Sequence, residues 1–63
     1  MIKEYRIKRG YTQEKLAEAI NISVRQLQRI EKNERNTSTR TLAKLKKTLN
    51  IPDKEIGKII SYT

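Results

Sequence analysis

The chain has no cysteine and no histidine, one proline, two glycines, and 7 acidic residues against 15 basic ones. Each shortage removes a class of explanation. Without cysteine there is no disulfide staple and no thiolate site. With histidine missing too, the commonest metal ligand is lost, as is the side chain that exchanges protons near neutral pH. There is no glycine-rich phosphate loop and no evident nucleophile–base pair, so the residues speak against an enzyme, and neither cofactor nor metal is expected. No apolar run approaches the roughly 18–20 residues of a membrane span, and no charged start followed by an apolar stretch suggests a secretory signal. An intracellular protein is expected. What is present is positive charge, a formal +8 on 63 residues. So basic a surface points to a polyanionic partner, nucleic acid first and an anionic membrane second, with plain solubility as the alternative.

A chain of this length forms one small domain, residues 1–63, burying only about 60% of its unfolded surface. Helix packing has to hold it together alone. Glycine and proline are so scarce that the breaks must be read from Asn, Ser and Thr, and five short helices fit between them. The first spans about 2–9 and stops at Gly10, the residue best able to take the left-handed conformation that closes a helix; Ile2 and Tyr5 face inward. Thr12 caps the second, Glu14 lies favourably in its first turn, and the helix ends near Ile20. Asn21, tolerant of positive φ, turns the chain. Ser23 and Gln26 have capping-box spacing and start the third helix, which runs to about Lys32. After a polar loop over 33–37, Thr37 or Ser38 caps a fourth helix with Leu42, Leu45 and Leu49 inward and Lys44, Lys46 and Lys47 outward. Pro52 suits the entrance of a fifth, carrying Ile56, Ile59 and Ile60. Gly57 costs that helix roughly 1 kcal/mol relative to alanine, either as a simple weakness or to admit a close neighbour.

The informative part is the pair of helices over about 12–32. Leu16, Ala17 and Ile20, then Ile22, Leu27 and Ile30, fall on one inward side, which leaves Arg25, Gln28 and Arg29 pointing away. Two short helices joined by a tight turn, the second with an Arg- and Gln-rich outer face, are what a protein needs to place a helix in a DNA groove. Base edges are then within reach of Val24, Arg25, Gln28 and Arg29. Arginine forks onto the O6 and N7 of guanine. Val24 offers methyl groups, either to a thymine or to the core beside Leu27. Gln28 either reads adenine or fills the rim. At the start of the same helix Ser23 and Gln26 are phosphate candidates, and Gln26 competes with itself as a capping partner. Lys32, Arg35 and Asn36 follow the helix and belong near the sugar-phosphate backbone, where contacts position without specifying. The Lys44, Lys46 and Lys47 face is either solvated or a further contact.

Residues 5–51 resemble the phage-repressor-like helix-turn-helix family, also called Xre or Cro-type. The match lies in Arg6, in Gly10-Tyr11-Thr12-Gln13-Glu14-Lys15-Leu16-Ala17, in Ile22-Ser23 and Ile30-Glu31, and in Ser38 and Leu42 through Leu49. Asn21, Asn33 and Thr37 stand where the family usually has glycine, glycine and proline. The resemblance implies an all-α, compact five-helix lambda-repressor-like domain whose second and third helices form the motif. It implies that Val24, Arg25 and Arg29 are the main base readers, that Gln13 binds a phosphate, and that Arg6 and Glu31 form an ion pair.

It further implies a transcriptional regulator of prokaryotic or phage type, most often a repressor. Such a protein binds double-stranded DNA as a homodimer on an inverted repeat with half-sites about one helical turn, roughly 34 Å, apart. The spare apolar surface near the end of the chain, Ile56, Ile59 and Ile60 with Tyr62 on a helix of about 53–61, is the candidate two-fold contact. The competing placement puts Ile56 and one later isoleucine in the monomer core. An antitoxin-like protein-interaction module on the same fold is the alternative function. A membrane-surface peptide fits less well, because the polar breaks at Asn21, Asn33 and Asn50 suit a folded bundle.

Overall fold

In the computed structural model, which describes residues 1–59 apart from the side chains of Asn36, Lys58 and Ile59, the chain is all α. The helices are α1 (Ile2–Lys8), α2 (Gln13–Ala19), α3 (Val24–Lys32), α4 (Thr39–Leu49) and α5 (Asp53–Ile59). The polar loop after α3 is not irregular throughout, since Glu34–Asn36 winds into a 3-10 turn.

Local chemistry sets most of these boundaries. Thr12 accepts a hydrogen bond from the Lys15 amide, 3.0 Å, at the start of α2. Ser23 and Gln26 complete a reciprocal capping box on α3, each accepting a backbone N–H at 3.0 Å. Of the two candidates before α4 it is Ser38 that caps, accepting from the Thr41 amide. The chain reverses at Gly10 (φ +82°), Asn21 (φ +61°) and Asn50 (φ +54°), the residue types that take left-handed backbone at least cost.

The core is assembled from one side of each of the first four helices: Ile2 of α1, Leu16 and Ala17 of α2, Leu27 of α3, and Leu42, Leu45 and Leu49 of α4 are all buried. Two long-range polar contacts then tie the outer elements to this core. Arg9 donates to the carbonyls of Leu49 and Asn50, at 2.8 and 3.3 Å, satisfying the end of α4. Glu34 does the same for the start of α1, which has no capping side chain of its own. Its carboxylate accepts from the Ile2 amide at 2.6 Å and from the Met1 amine at 2.7 Å. Burial of that amine opposes its charge, but the hydrogen bonds it donates to Glu34 and Glu4 outweigh the burial and raise its pKa. The same hydrogen bond to the amine lowers the pKa of Glu4.

Among the described residues, and leaving out its chain neighbours and its own helix backbone, nothing lies within 4 Å of where a Cβ on Gly57 would stand, so no close approach by them requires the glycine, which weakens the helix. Thr37 is a different kind of anomaly. It is buried, and among the described residues its hydroxyl has no hydrogen-bond partner. Removing such a group without changing the shape relieves a desolvation cost, so Thr37→Val is expected to raise stability by about 1 kcal/mol. A shift of the urea midpoint to higher concentration at unchanged slope is the result to look for; a lower midpoint would show that the hydroxyl is satisfied in solution.

Candidate nucleic-acid interface

The motif is held at its corner by the backbone. The Ile22 amide donates to the Ala17 carbonyl at 2.9 Å across the turn at Asn21, and α2 and α3 pack directly on each other. Leu27 anchors α3 from within, while Ile30 and Val24 lie half-buried against the same core. Val24 therefore spends part of its surface on packing. Arg25, Gln28 and Arg29 are exposed away from Leu27, as are Lys32, the last residue of the helix, and Arg35 beyond it. The side chain of Asn36 lies outside the described residues.

Behind this face sits a nearly closed ion pair. The Arg6 Nε donates to Glu31 Oε2 at 2.6 Å, and the two side chains are only 10% and 6% exposed. Arg6 Nη1 donates in addition to the Tyr11 carbonyl, 3.0 Å, so the guanidinium joins α1, the loop before α2 and the end of α3. The second oxygen of Glu31 accepts from Gln13 Nε2 at 3.1 Å, and Gln13 Oε1 accepts from Gln28 Nε2 at 3.3 Å. Gln13 thus stands at the first position of α2, folded back onto the pair and onto α3 rather than extended into solvent. Gln26 keeps its Oε1 in the capping box, which leaves its amino group outward.

Between α3 and the start of α4 a groove of about 310 Å³ is lined by Gln26, Arg29, Ile30, Thr37, Ser38 and Thr41. Arg29 and the amino end of α4 converge there, a setting that favours an anion. The lysines on the outer side of α4 are less free than their spacing suggests. Lys44 donates to the Ile20 carbonyl at 3.4 Å and Lys46 pairs with Asp53, so the fold occupies two of the three. At the far end Ile56 is half-buried against the core. The other residues of the candidate two-fold contact, Ile60 and Tyr62, lie outside the described residues, as does the side chain of Ile59.

Three contributors were invisible as pattern. Glu34 read as one charge in a polar loop, Thr37 as a possible cap, and the link from Glu31 through Gln13 to Gln28 joins positions with no local signal. Among the described residues no group of His, Cys, Asp or Glu side chains could hold a metal ion, and no helix is long and apolar enough to cross a membrane. Compared with known proteins, residues 2–56 match a family described as helix-turn-helix. No curated protein and no solved structure matches the chain.

Proposed function

We propose, from the premise that the chain belongs to this helix-turn-helix family of DNA-binding domains, that it is a sequence-specific regulator of transcription, a repressor acting inside the cell by occupying an operator. The observation that carries the reading is the two-sidedness of α3. Leu27 is fully buried and the helix start is fixed by a capping box, while Arg25, Gln28 and Arg29 stand exposed on the other side. A rigid helix with an exposed guanidinium in each of its first two turns is suited to the major groove, where arginine recognises guanine.

In this reading Arg25 and Arg29 supply the main base contacts, with the exposed part of Val24 against a thymine methyl. Lys32 and Arg35, with Ser23, the outward amino group of Gln26, and Asn36, hold the phosphates. Gln13 has a second Nε2 hydrogen beyond the one given to Glu31, and at the start of α2 it is placed for a phosphate oxygen. One such domain spans few base pairs, so two copies on an inverted repeat are needed for useful selectivity, with the end of the chain from Ile56 onward as their contact.

The division between reading and positioning is directly testable. Arg25→Ala is expected to cost about 1–3 kcal/mol on the preferred duplex and little on duplexes altered at its base, so preference relaxes at one position. Lys32→Ala is expected to weaken every duplex alike and to lower the salt slope by about 1. Titrations of both variants against matched and altered duplexes distinguish them; equal losses on every sequence for both would remove the assignment.

A further inference from the structure

Resting on the reading of Arg35 as a phosphate contact, we propose that Glu34 is a positioning residue for DNA binding. By tying the loop between α3 and α4 to the start of α1, it holds Arg35 where a phosphate of the bound duplex passes. An acidic side chain thereby strengthens the hold on a polyanion.

The loop over 33–37 depends on an anchor outside itself. It contains no proline, so no residue in it has its φ fixed by a ring. The Asn33 amide donates back to the Arg29 carbonyl at 3.0 Å and the Thr37 amide to the Glu34 carbonyl at 3.1 Å. These bonds shape the turn and join it to the end of α3, but to nothing further away. Thr37 is buried, yet among the described residues its hydroxyl has no partner. The long-range fastening comes from Glu34. Among the described side chains of the loop it is this carboxylate whose hydrogen bonds reach a distant element, accepting from the Ile2 amide at 2.6 Å and the Met1 amine at 2.7 Å. Ile2 is itself fully buried, so the loop is tied to a residue of the core.

The same bonds dispose of the negative charge. The Glu34 side chain is only 20% exposed, and both the amine and the amino end of α1 favour a carboxylate there. Released, it would stand free beside Arg35 and near Lys32, competing with phosphate for their charges. Seated, it leaves the exposed guanidinium of the next residue to the DNA. A loop already held in its bound shape also loses less conformational freedom when the duplex arrives. Glu34 touches no phosphate in this arrangement and acts through Arg35.

The experiment measures affinity for the best duplex from a random-library selection and for a scrambled duplex, across a range of salt. The proteins are the unaltered chain, E34A, E34D, E34Q, R35A and E34A/R35A, with folding at the assay temperature checked by circular dichroism. E34A is expected to weaken both duplexes about three- to tenfold and to lower the salt slope by about 1, with the preference between them kept. A loss of stability alone would leave the slope unmoved. Charge alone predicts the opposite sign, since removing an acidic residue favours a polyanion. The double variant is expected to bind as R35A does, because both changes act through one contact. E34Q keeps a carbonyl acceptor for the Ile2 amide and should bind at least as tightly as the unaltered chain. E34D keeps the charge but is one methylene short; it should weaken binding as E34A does, and carries the test should E34A fail to fold. Affinity in E34A or E34D equal to or above that of the unaltered chain, or a double variant showing the product of the two single losses, would overturn the inference while leaving DNA reading by α3 intact. An R35A that binds every duplex as the unaltered chain does would overturn the phosphate role of Arg35 and the inference with it. An unaltered chain with no preference for its selected duplex would overturn the proposed function itself.

Discussion

Arg6→Ala is expected to lower the stability of the domain by about 3–5 kcal/mol, the typical cost of removing one partner of a buried ion pair. Two groups lose a partner together. Glu31, only 6% exposed, keeps just the neutral amide of Gln13, while the Tyr11 carbonyl loses its donor and α1 loses its tie to the end of α3. A 63-residue chain has a total stability of roughly 3–9 kcal/mol at ordinary values per residue. The variant should accordingly be largely unfolded, or close to it, at room temperature. Replacing both partners with apolar residues of similar volume, Arg6→Met with Glu31→Leu, should cost much less than the single change, because no charge is then stranded. Urea denaturation followed by helical circular dichroism compares the two, and a single variant as stable as the unaltered protein would show that the pair is solvated.

Leu27→Ala is expected to cost about 2–5 kcal/mol, for a different reason. Leu27 is fully buried and is the one residue of α3 that is buried outright, so its truncation leaves a cavity under the helix proposed to meet DNA. On the same helix Arg25→Ala removes an exposed side chain and should stay within about 0.5 kcal/mol of the parent. The contrast separates the side of α3 that builds the fold from the side assigned to DNA. Matched denaturation curves for the two variants would test it. A destabilisation by Arg25→Ala comparable to that of Leu27→Ala would mean that the outer face is itself engaged in the fold.

How far the structure was readable in advance depends on the range of the interactions involved. The helix starts at Thr12, Ser23 and Ser38 are local, since each cap is satisfied within three residues, and the left-handed turns at Gly10, Asn21 and Asn50 follow from the conformational freedom of single residue types. The inward stripe of Leu42, Leu45 and Leu49 is a matter of helical period. Glu34 had no such signal. Its partners, Met1 and Ile2, are 33 and 32 residues away, and only after folding does an acidic loop residue become the cap of α1. The lysines of α4 looked like one cluster for a similar reason, because neither the Ile20 carbonyl nor Asp53 is foreshadowed by spacing. At the interface, the exposed side of α3 could be read from periodicity. The hydrogen-bond chain behind it could not, because it depends on which end of each amide faces its neighbour.

The central claim is that the exposed side of α3 reads sequence and that the charge of the chain does not act alone. Its most direct test is to titrate the chain with the best duplex from a random-library selection and with a scrambled duplex of equal length, at two salt concentrations. Sequence reading predicts an inverted repeat as the selected site and a preference over scrambled DNA that persists as salt rises, even while both affinities fall. Binding that is indifferent to sequence and collapses on both duplexes with salt would contradict it, leaving only an electrostatic contact and favouring a protein partner for this fold.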